Sequence, residues 1–282
     1  MKRYFITYGD ALFEDAKRRI IREAEQTGQF DEIIAYSNDS VSAELKASKV
    51  FSVKRGGGLW SWKPDIILQT LNIMDEGDTL VYCDAGCQLQ PCQEWKHYWN
   101  ILRKYDIIAQ RIYQRTENWT RKELIDEFVG NGEKWPKLFQ FQATIVIIRK
   151  SEFTTRLIRE WRELMIQKPI LAMDVNDEER KYQKASFIEN RHDQAIYSAL
   201  VYKYLRIKDT KDKIYTMWEH LEDLDIFSKQ AIRAARYRTN IPPTKRMKIR
   251  LVLKRVIKDV IYKPLLIAPQ QIIYGYLNEL SL

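Results

Sequence analysis

Short apolar runs alternate with amphipathic stretches through the first 150 residues, and this alternation restricts the fold more than any other feature of the sequence. The runs RYFITYG, TLVYCD and FQATIVIIRK predict strands, because they are short, apolar and rich in β-branched or aromatic residues. The stretches LFEDAKRRIIREAEQ and TRKELIDEFVG have the spacing of amphipathic helices. Continuously apolar strands joined by helices are typical of a mostly parallel sheet that helices cover on both faces. We therefore predict an α/β fold, with longer helices after residue 150.

Positive charge is concentrated near the C-terminus. The chain has 47 Lys and Arg residues against 38 Asp and Glu residues, which gives a net charge of +9. Residues 229–263 contain twelve Lys or Arg residues and only one acidic residue, Asp259. This distribution predicts a globular domain over residues 1–228 and a basic helical extension over residues 229–282. A cationic segment of this kind favours an anionic partner, either phospholipid headgroups or nucleic acid.

The extension contains the stretch KRMKIRLVLKRVIKDVIY, which has the pattern of a cationic amphipathic helix. Helical spacing places Ile249, Leu253, Val256, Ile257 and Val260 on one face, with lysines and arginines opposite. Such a helix either lies on an anionic membrane or packs its apolar face on the globular domain. Both alternatives fit the sequence.

The lengths of the apolar runs and the number and spacing of the cysteines indicate the cellular compartment. The sequence has no uncharged apolar run of about 18 residues, and MKRYFITYGDALFED meets charge too early for a secretory signal. The cysteines Cys83, Cys87 and Cys92 are odd in number, and their spacing fits none of the usual structural zinc sites. We therefore expect a cytoplasmic protein with reduced thiols.

Small and polar residues follow the predicted strands at the points where those strands end. The carboxyl ends of parallel strands meet at one edge of a sheet, and ligands bind there. The residues at this predicted edge are Tyr8, Gly9, Asp10, Ser37, Asn38, Asp84, Ala85 and Gly86. Asp84 would bring a carboxylate to the ligand, and Ala85 and Gly86 would let a bulky group approach the backbone. A carboxylate there suits a divalent cation beside a diphosphate, although Asp84 could also cap the following turn.

The segment KRGGGLWSWKP, residues 54–64, has an unusual composition for a loop. Gly58 and the two glycines before it allow close backbone approach. Consecutive glycines are costly to order unless the structure needs such an approach. Trp60 and Trp62 can stack on a ring, and Arg55 and Lys63 can contact phosphate. The segment therefore favours a donor-binding role, although both tryptophans could instead belong to the core.

Four stretches resemble a known enzyme class. GGGLWSWKPDIILQTLNIMDEGDTLVYCDAGCQL resembles the donor-binding half of GT-A-fold glycosyltransferases from bacterial capsule, O-antigen and lipopolysaccharide biosynthesis. The stretches ENWTRKELIDEF, FQATIVIIRKSEFTTRLIREW and ENRHDQAIYSAL follow in the order and spacing that such enzymes show. The resemblance covers approximately residues 1–205. It implies a GT-A fold, which is Rossmann-like.

The resemblance also assigns roles to matching positions. Asp84 matches the first aspartate of an Asp-x-Asp motif, which binds the donor diphosphate through Mn²⁺ or Mg²⁺. Gly86 occupies the place of the second aspartate, so a metal bound by Asp84 would be held weakly, or Lys63 and Arg55 would neutralise the diphosphate instead. Asp193 is similar to a carboxylate placed beside the donor sugar at a helix N-terminus, where the helix dipole favours its charge.

Two further positions, His192 and Gln142, belong to the predicted site. His192 adjoins Asp193, and we predict that it contacts the donor sugar, although a metal ligand or a packing residue would also fit. Gln142 lies on a strand that runs between donor and acceptor in the resembling enzymes, where its amide could contact sugar hydroxyls. Sheet core is the alternative for this strand.

The resemblance implies transfer of a monosaccharide from a nucleotide-diphosphate sugar to a hydroxyl of a lipid-linked or oligosaccharide acceptor. No residue stands out as the base that an inverting mechanism needs, so we favour retention of configuration. Such acceptors are usually built at the cytoplasmic leaflet, which agrees with a peripheral position on the inner face of the membrane. Two alternatives remain: a nucleic-acid-binding protein that uses the basic extension, and a non-catalytic membrane-associated scaffold. We expect no nucleic acid, because the basic cluster lies outside the strand-and-helix pattern.

Overall fold

The computed structural model describes residues 1–219 and 230–235. The amphipathic helix predicted within residues 245–262 lies outside the described residues, and so does most of the predicted basic extension. Both stay predictions. None of the helices in the described part of the chain is long and apolar enough to cross a membrane.

One large sheet forms the centre of the molecule, with the strand order β2-β1-β3-β7-β5-β6 and with β8 paired to β5. β1, β2 and β3 are parallel to one another, and β7 runs antiparallel to both β3 and β5. β8 is parallel to β5, and β6 is antiparallel to it. Of the seven strands, therefore, only β6 and β7 run against the common direction. The strands are β1 (Arg3–Tyr8), β2 (Glu32–Tyr36), β3 (Thr79–Cys83), β4 (Gln88–Leu89), β5 (Ile107–Arg115), β6 (Phe139–Phe141), β7 (Ile145–Arg149), β8 (Ile214–Trp218) and β9 (Ile232–Arg233).

Helices lie between the strands in sequence, as the alternating pattern predicts. They are α1 (Glu14–Thr27), α2 (Ala43–Lys46), α3 (Gly56–Leu59), α4 (Trp62–Ile73), α5 (Glu94–Leu102), α6 (Thr116–Trp119), α7 (Lys122–Glu127), α8 (Glu152–Gln167), α9 (Asp177–Arg180), α10 (His192–Leu205) and α11 (Lys208–Lys211). α1 ends at Gly28, which adopts the left-handed conformation (φ 62°) that glycine tolerates best at a helix end. α8 begins with a capping box formed by Ser151 and Thr154.

The core has two parts, because successive strand residues point to opposite faces of the sheet. Leu80 and Tyr82 of β3 pack in one cluster, which includes residues of α4, α8 and α10. Val81 and Cys83 pack in the other cluster, which includes residues of α1 and α5. Both faces of the sheet are therefore buried under helices. The predicted α/β class, with a mostly parallel sheet flanked by helices, is confirmed.

Residues 230–235 lie against the strand that follows Asp84. β9 pairs antiparallel with β4, in the register Gln88↔Arg233 and Leu89↔Ile232. The backbone N–H of Ala231 donates to a carboxylate oxygen of Glu94 at 2.6 Å. The predicted boundary between residues 228 and 229 therefore precedes a short strand that contacts the globular part.

Candidate active site

Asp84 comes directly after β3, as predicted. Hydrogen bonds to the chain segments on both sides of β3 fix the position of its backbone. Its N–H donates to the carbonyl of Thr144 at 2.9 Å, and the Thr7 hydroxyl donates to the carbonyl of Cys83 at 2.8 Å. The Tyr82 hydroxyl donates a short hydrogen bond to Oδ1 of Asp84. The Asp84 side chain is 31% exposed, so a ligand can reach it.

Lys63 joins Asp84 to a second carboxylate from a distant part of the chain. Lys63 lies in the first turn of α4, and its side chain is 3% exposed. Its Nζ lies 3.3 Å from Oδ1 of Asp84 and 2.7 Å from Oδ2 of Asp193, whose side chain is 7% exposed. The ammonium also lies 5.9 Å from the centre of the Trp62 ring and 5.5 Å from that of Tyr82. We call Lys63, Asp84 and Asp193 the lysine–carboxylate cluster.

The charges in this cluster affect one another strongly because little water reaches them. Burial by itself lowers the pKa of Lys63, but the two carboxylates outweigh it and raise that pKa above its ordinary value. Burial raises the pKa of Asp193, and the Lys63 ammonium opposes this rise. Burial, with help from Asp84, raises the pKa of Tyr82 well above its ordinary value. Tyr82 is therefore a neutral hydrogen-bond donor, and one ammonium is shared by two carboxylates.

Residues 56–60 form a left-handed turn next to the cluster. Their φ angles are all positive, and they include Leu59 at 54° and Trp60 at 60°. Gly58 has φ 94°, and a Cβ there would lie 2.8 Å from Cα of Phe51, so only glycine fits this position. The indole N–H of Trp62 donates to the carbonyl of Gly56 at 3.0 Å, which holds the turn against α4.

Tyr8 and Trp62 pack against each other below the edge of the sheet. Their rings are stacked with centres 3.8 Å apart, and both residues are buried. The Tyr8 hydroxyl donates to the side-chain oxygen of Asn38 at 3.3 Å. Gly9 continues the edge, and its carbonyl accepts from the buried Lys17 ammonium at 3.1 Å. Most of the Trp62 surface is therefore already covered by the protein, and the donor contact of this residue stays a prediction.

Trp60 and His192 form a ring contact beside the cluster, and Arg55 and His192 both lie near the carboxylate of Asp174. The Trp60 ring stacks on the His192 ring with centres 5.2 Å apart. His192 has φ 49°, and its Nδ1 lies 2.7 Å from the carbonyl of Ala172, to which a protonated Nδ1 donates. Arg55 pairs with Asp174 at 2.6 Å rather than with the lysine–carboxylate cluster. Burial lowers the pKa of His192, which favours the neutral imidazole.

Gln142 is buried at the end of β6, in a group of glutamine side chains. Its side-chain amide donates to that of Gln110, and its backbone N–H donates to the Gln110 carbonyl at 2.9 Å. Gln194, which follows Asp193, donates to the side chains of Gln140 at 2.8 Å and Gln114 at 3.2 Å. The amides can bind hydroxyl groups, but in this structure they bind one another, and the Gln140 amide also donates to the Trp119 carbonyl and the Thr120 hydroxyl.

Arg19 and Glu23 support the turn after Asp84, and the sequence analysis missed both. The Arg19 guanidinium donates to the carbonyls of Ala85 at 2.9 Å and Cys87 at 2.8 Å. The same group donates to both oxygens of Glu23 at 2.9 Å, and Glu23 accepts from the N–H of Leu89 at 2.9 Å. Ala85 is buried and Gly86 is half-buried in this turn. The only sequence signal was an Arg/Glu pair at i,i+4, a spacing that usually marks an exposed ion pair.

The residues around Asp84 do not fit a site for Mn²⁺ or Mg²⁺. These ions prefer several oxygen ligands, and in the Asp-x-Asp motif that residues 84–86 resemble, a second carboxylate would stand at the position of Gly86. The described residues 1–219 and 230–235 contain no group of three or more His, Cys, Asp or Glu side chains that could hold a metal ion. The second carboxylate that lies near Asp84 is Asp193, and the Lys63 ammonium lies between them.

No protein-family model matches the sequence, and no curated protein matches it significantly. Solved structures are similar in general architecture. Mouse xyloside xylosyltransferase 1 is 10% identical with a TM-score of 0.41, over 76% of this chain and 85% of that one. The galactosyltransferase LgtC, in complex with donor and acceptor sugar analogues, is 13% identical with a TM-score of 0.40, over 85% of this chain and 84% of that one. At such low identities and TM-scores, the similarity does not assign a function, which depends on this chain's own residues.

Proposed function

We propose that the protein is a glycosyltransferase of the GT-A type that moves a monosaccharide from a nucleotide-diphosphate sugar to an acceptor hydroxyl. The lysine–carboxylate cluster carries this proposal. Its three residues were selected from the sequence as donor-binding or catalytic, and they come from three separate segments of the chain. At the carboxyl end of β3, the Lys63 ammonium lies within 3.3 Å of an oxygen of each of the two carboxylates. This edge of the sheet is where α/β proteins bind their ligands.

The exposure of the cluster suggests how a sugar would approach it. Asp84 is the most exposed of the three side chains, whereas Lys63 and Asp193 lie behind it. Carboxylates accept hydrogen bonds from sugar hydroxyls, and a preorganised negative charge stabilises an oxocarbenium-like transition state. We therefore assign Asp84 to contact with the donor, Asp193 to the donor sugar and Lys63 to holding both carboxylates in place.

The finer parts of the proposal follow the sequence resemblance. We propose a lipid-linked or oligosaccharide acceptor from bacterial surface polysaccharide synthesis, such as capsule, O-antigen or lipopolysaccharide, and transfer with retention. The basic residues 229–282 would hold the protein at the anionic inner face of the membrane. Sedimentation of the full chain with phosphatidylglycerol vesicles, compared with phosphatidylcholine vesicles, tests this placement. Equal binding to both kinds of vesicle would contradict it.

Donor turnover is the decisive experiment. The full chain is incubated with UDP-glucose, GDP-mannose and CMP-N-acetylneuraminate, each with and without Mn²⁺ or Mg²⁺, and thermal stabilisation and donor hydrolysis are measured. We expect UDP-glucose or GDP-mannose, the two nucleotide-diphosphate sugars, to stabilise the protein and to be hydrolysed, whereas turnover of CMP-N-acetylneuraminate alone would contradict a diphosphate donor. Stabilisation without hydrolysis or transfer would indicate a non-catalytic scaffold.

Replacing Asp84 by alanine should lower hydrolysis and transfer by at least about 100-fold, because the donor then loses its exposed carboxylate contact. The unfolding temperature should change little, since Lys63 keeps Asp193 as its partner. Asp126→Ala is the matched control, because Asp126 also pairs with a lysine but is exposed on α7, away from the sheet edge. Full activity of the Asp84→Ala variant would remove the assignment.

A further inference from the structure

The position between Asp84 and Asp193 is occupied by a side chain that cannot easily leave. Lys63 extends from the first turn of α4, directly before Pro64, and its side chain is 3% exposed. The aromatic rings of Trp62 and Tyr82 lie beside its ammonium, with their centres 5.9 Å and 5.5 Å away. The two carboxylate oxygens that face each other across this position both lie within 3.3 Å of the same nitrogen.

We propose that Lys63 is the resident cation of this carboxylate pair, and that the protein binds its sugar donor without a divalent metal ion. This inference rests on the proposed function and specifies how its site works. A divalent ion placed between Asp84 and Asp193 would lie within a few ångströms of the Lys63 ammonium. Like charges at that separation repel strongly where water is excluded. Within residues 1–219 and 230–235, no third acidic or histidine ligand completes a set that could offset this repulsion.

The same geometry predicts what happens when the ammonium is removed. Without Lys63, a buried and a half-buried carboxylate would face each other with no cation between them, which is costly in a site with little water. Carboxylate oxygens are the ligands that Mn²⁺ and Mg²⁺ prefer. A Lys63→Met variant should therefore gain a metal site that the wild-type protein lacks. Methionine is also unbranched, is only one heavy atom shorter than lysine and packs well beside the aromatic rings.

Titration with Mn²⁺, followed by the electron paramagnetic resonance signal of the free ion, measures this directly. We expect no stoichiometric site in the wild-type protein or in Lys63→Arg, which keeps the positive charge. Lys63→Met should bind one Mn²⁺ per chain, with an affinity at least about tenfold higher than that of any residual binding by the wild type. Lys17→Met is the matched control, because Lys17 is also buried but pairs with one carboxylate, Glu14, and should gain no site.

A stoichiometric Mn²⁺ site in the wild-type protein would overturn the inference, and so would a folded Lys63→Met variant that binds no Mn²⁺. If Lys63→Met does not fold, the wild-type protein still decides the question.

Calorimetry with UDP-glucose, GDP-mannose and CMP-N-acetylneuraminate should give the same affinity in EDTA as in Mn²⁺ for any donor that binds. A donor that binds only with Mn²⁺ would overturn the inference and leave the proposed function intact. No donor binding in either buffer would count against the proposed function, whereas the wild-type Mn²⁺ titration would still decide the role of Lys63.

Discussion

Lys63 and Asp65 are two buried charged residues on the same helix, yet their surroundings differ. Asp65 is 1% exposed and accepts from the Ser42 N–H at 2.9 Å, the Ser42 hydroxyl at 2.6 Å, Gln69 at 2.9 Å and Arg162 at 2.6 Å. Its charge is balanced by one cation, and both of its oxygens are hydrogen-bonded.

Lys63, by contrast, is one cation between two carboxylates, and one of them reaches the solvent. A fully satisfied buried network stabilises a fold, whereas an unbalanced one is costly and is kept mainly where a ligand uses it. We therefore expect that α4 carries a structural charge at Asp65 and, under the proposed function, a functional charge at Lys63. Two variants test that division, and a third tests the pH dependence of the residue beside Asp193.

The largest effect on stability should come from Asp65→Ala. This change leaves the half-buried Arg162 without its main carboxylate partner and removes the acceptor for the Ser42 backbone. We expect a loss of about 3–5 kcal/mol in the free energy of unfolding, because a buried ion pair is broken on one side. Urea unfolding followed by circular dichroism measures it. A loss below about 1 kcal/mol would show that the Asp65 network is not structural.

Asp193→Asn should affect activity more than stability. Lys63 keeps Asp84 as a partner, and the buried excess charge is removed, so the free energy of unfolding should change by no more than about 1 kcal/mol. Transfer should fall by about 100-fold to 1000-fold, because a charge that stabilises the transition state is lost. Steady-state kinetics and urea unfolding of the same preparation separate the two effects. A variant that loses stability but keeps its kcat would make Asp193 a structural residue like Asp65.

The smallest expected effect is on the pH dependence of the free energy of unfolding, and it comes from His192, the residue before Asp193. Burial lowers the pKa of His192, with Asp174 and Asp193 opposing and Arg55 assisting. The folded protein then binds this proton less readily than the unfolded chain does. The stabilising contribution is therefore present above the ordinary pKa of histidine and is lost as the pH falls through the lowered pKa.

The variant His192→Gln keeps a donor for the Ala172 carbonyl but does not titrate. Its free energy of unfolding, measured by urea denaturation, should depend less on pH than that of the wild type below about pH 6.5. Equal slopes for the two proteins would show that His192 does not contribute.

Part of the candidate site could be predicted from the sequence because it depends on local pattern. Asp84 follows an apolar strand, and Lys63 lies at a helix start, so local pattern was enough to place both in one predicted donor site, and the structure brings their side chains within 3.3 Å of each other. The partners of Arg55 could not be predicted in this way. A cationic group beside glycines suggested phosphate, but the chain brings Asp174 and Glu189 to it instead.

What the sequence determined by itself was the alternation of strands and helices over the first 150 residues, although the predicted strand FQATIVIIRK is divided between β6 and β7. Those features depend on periodicity over a few residues, which the hydrophobic effect converts directly into buried faces. Only the tertiary structure decided that Lys63 bridges Asp84 and Asp193, and that Arg19 holds the carbonyls of the turn after Asp84. Ion pairs between distant segments have no local signature, because their energy depends on burial and on which charges the packed helices bring together.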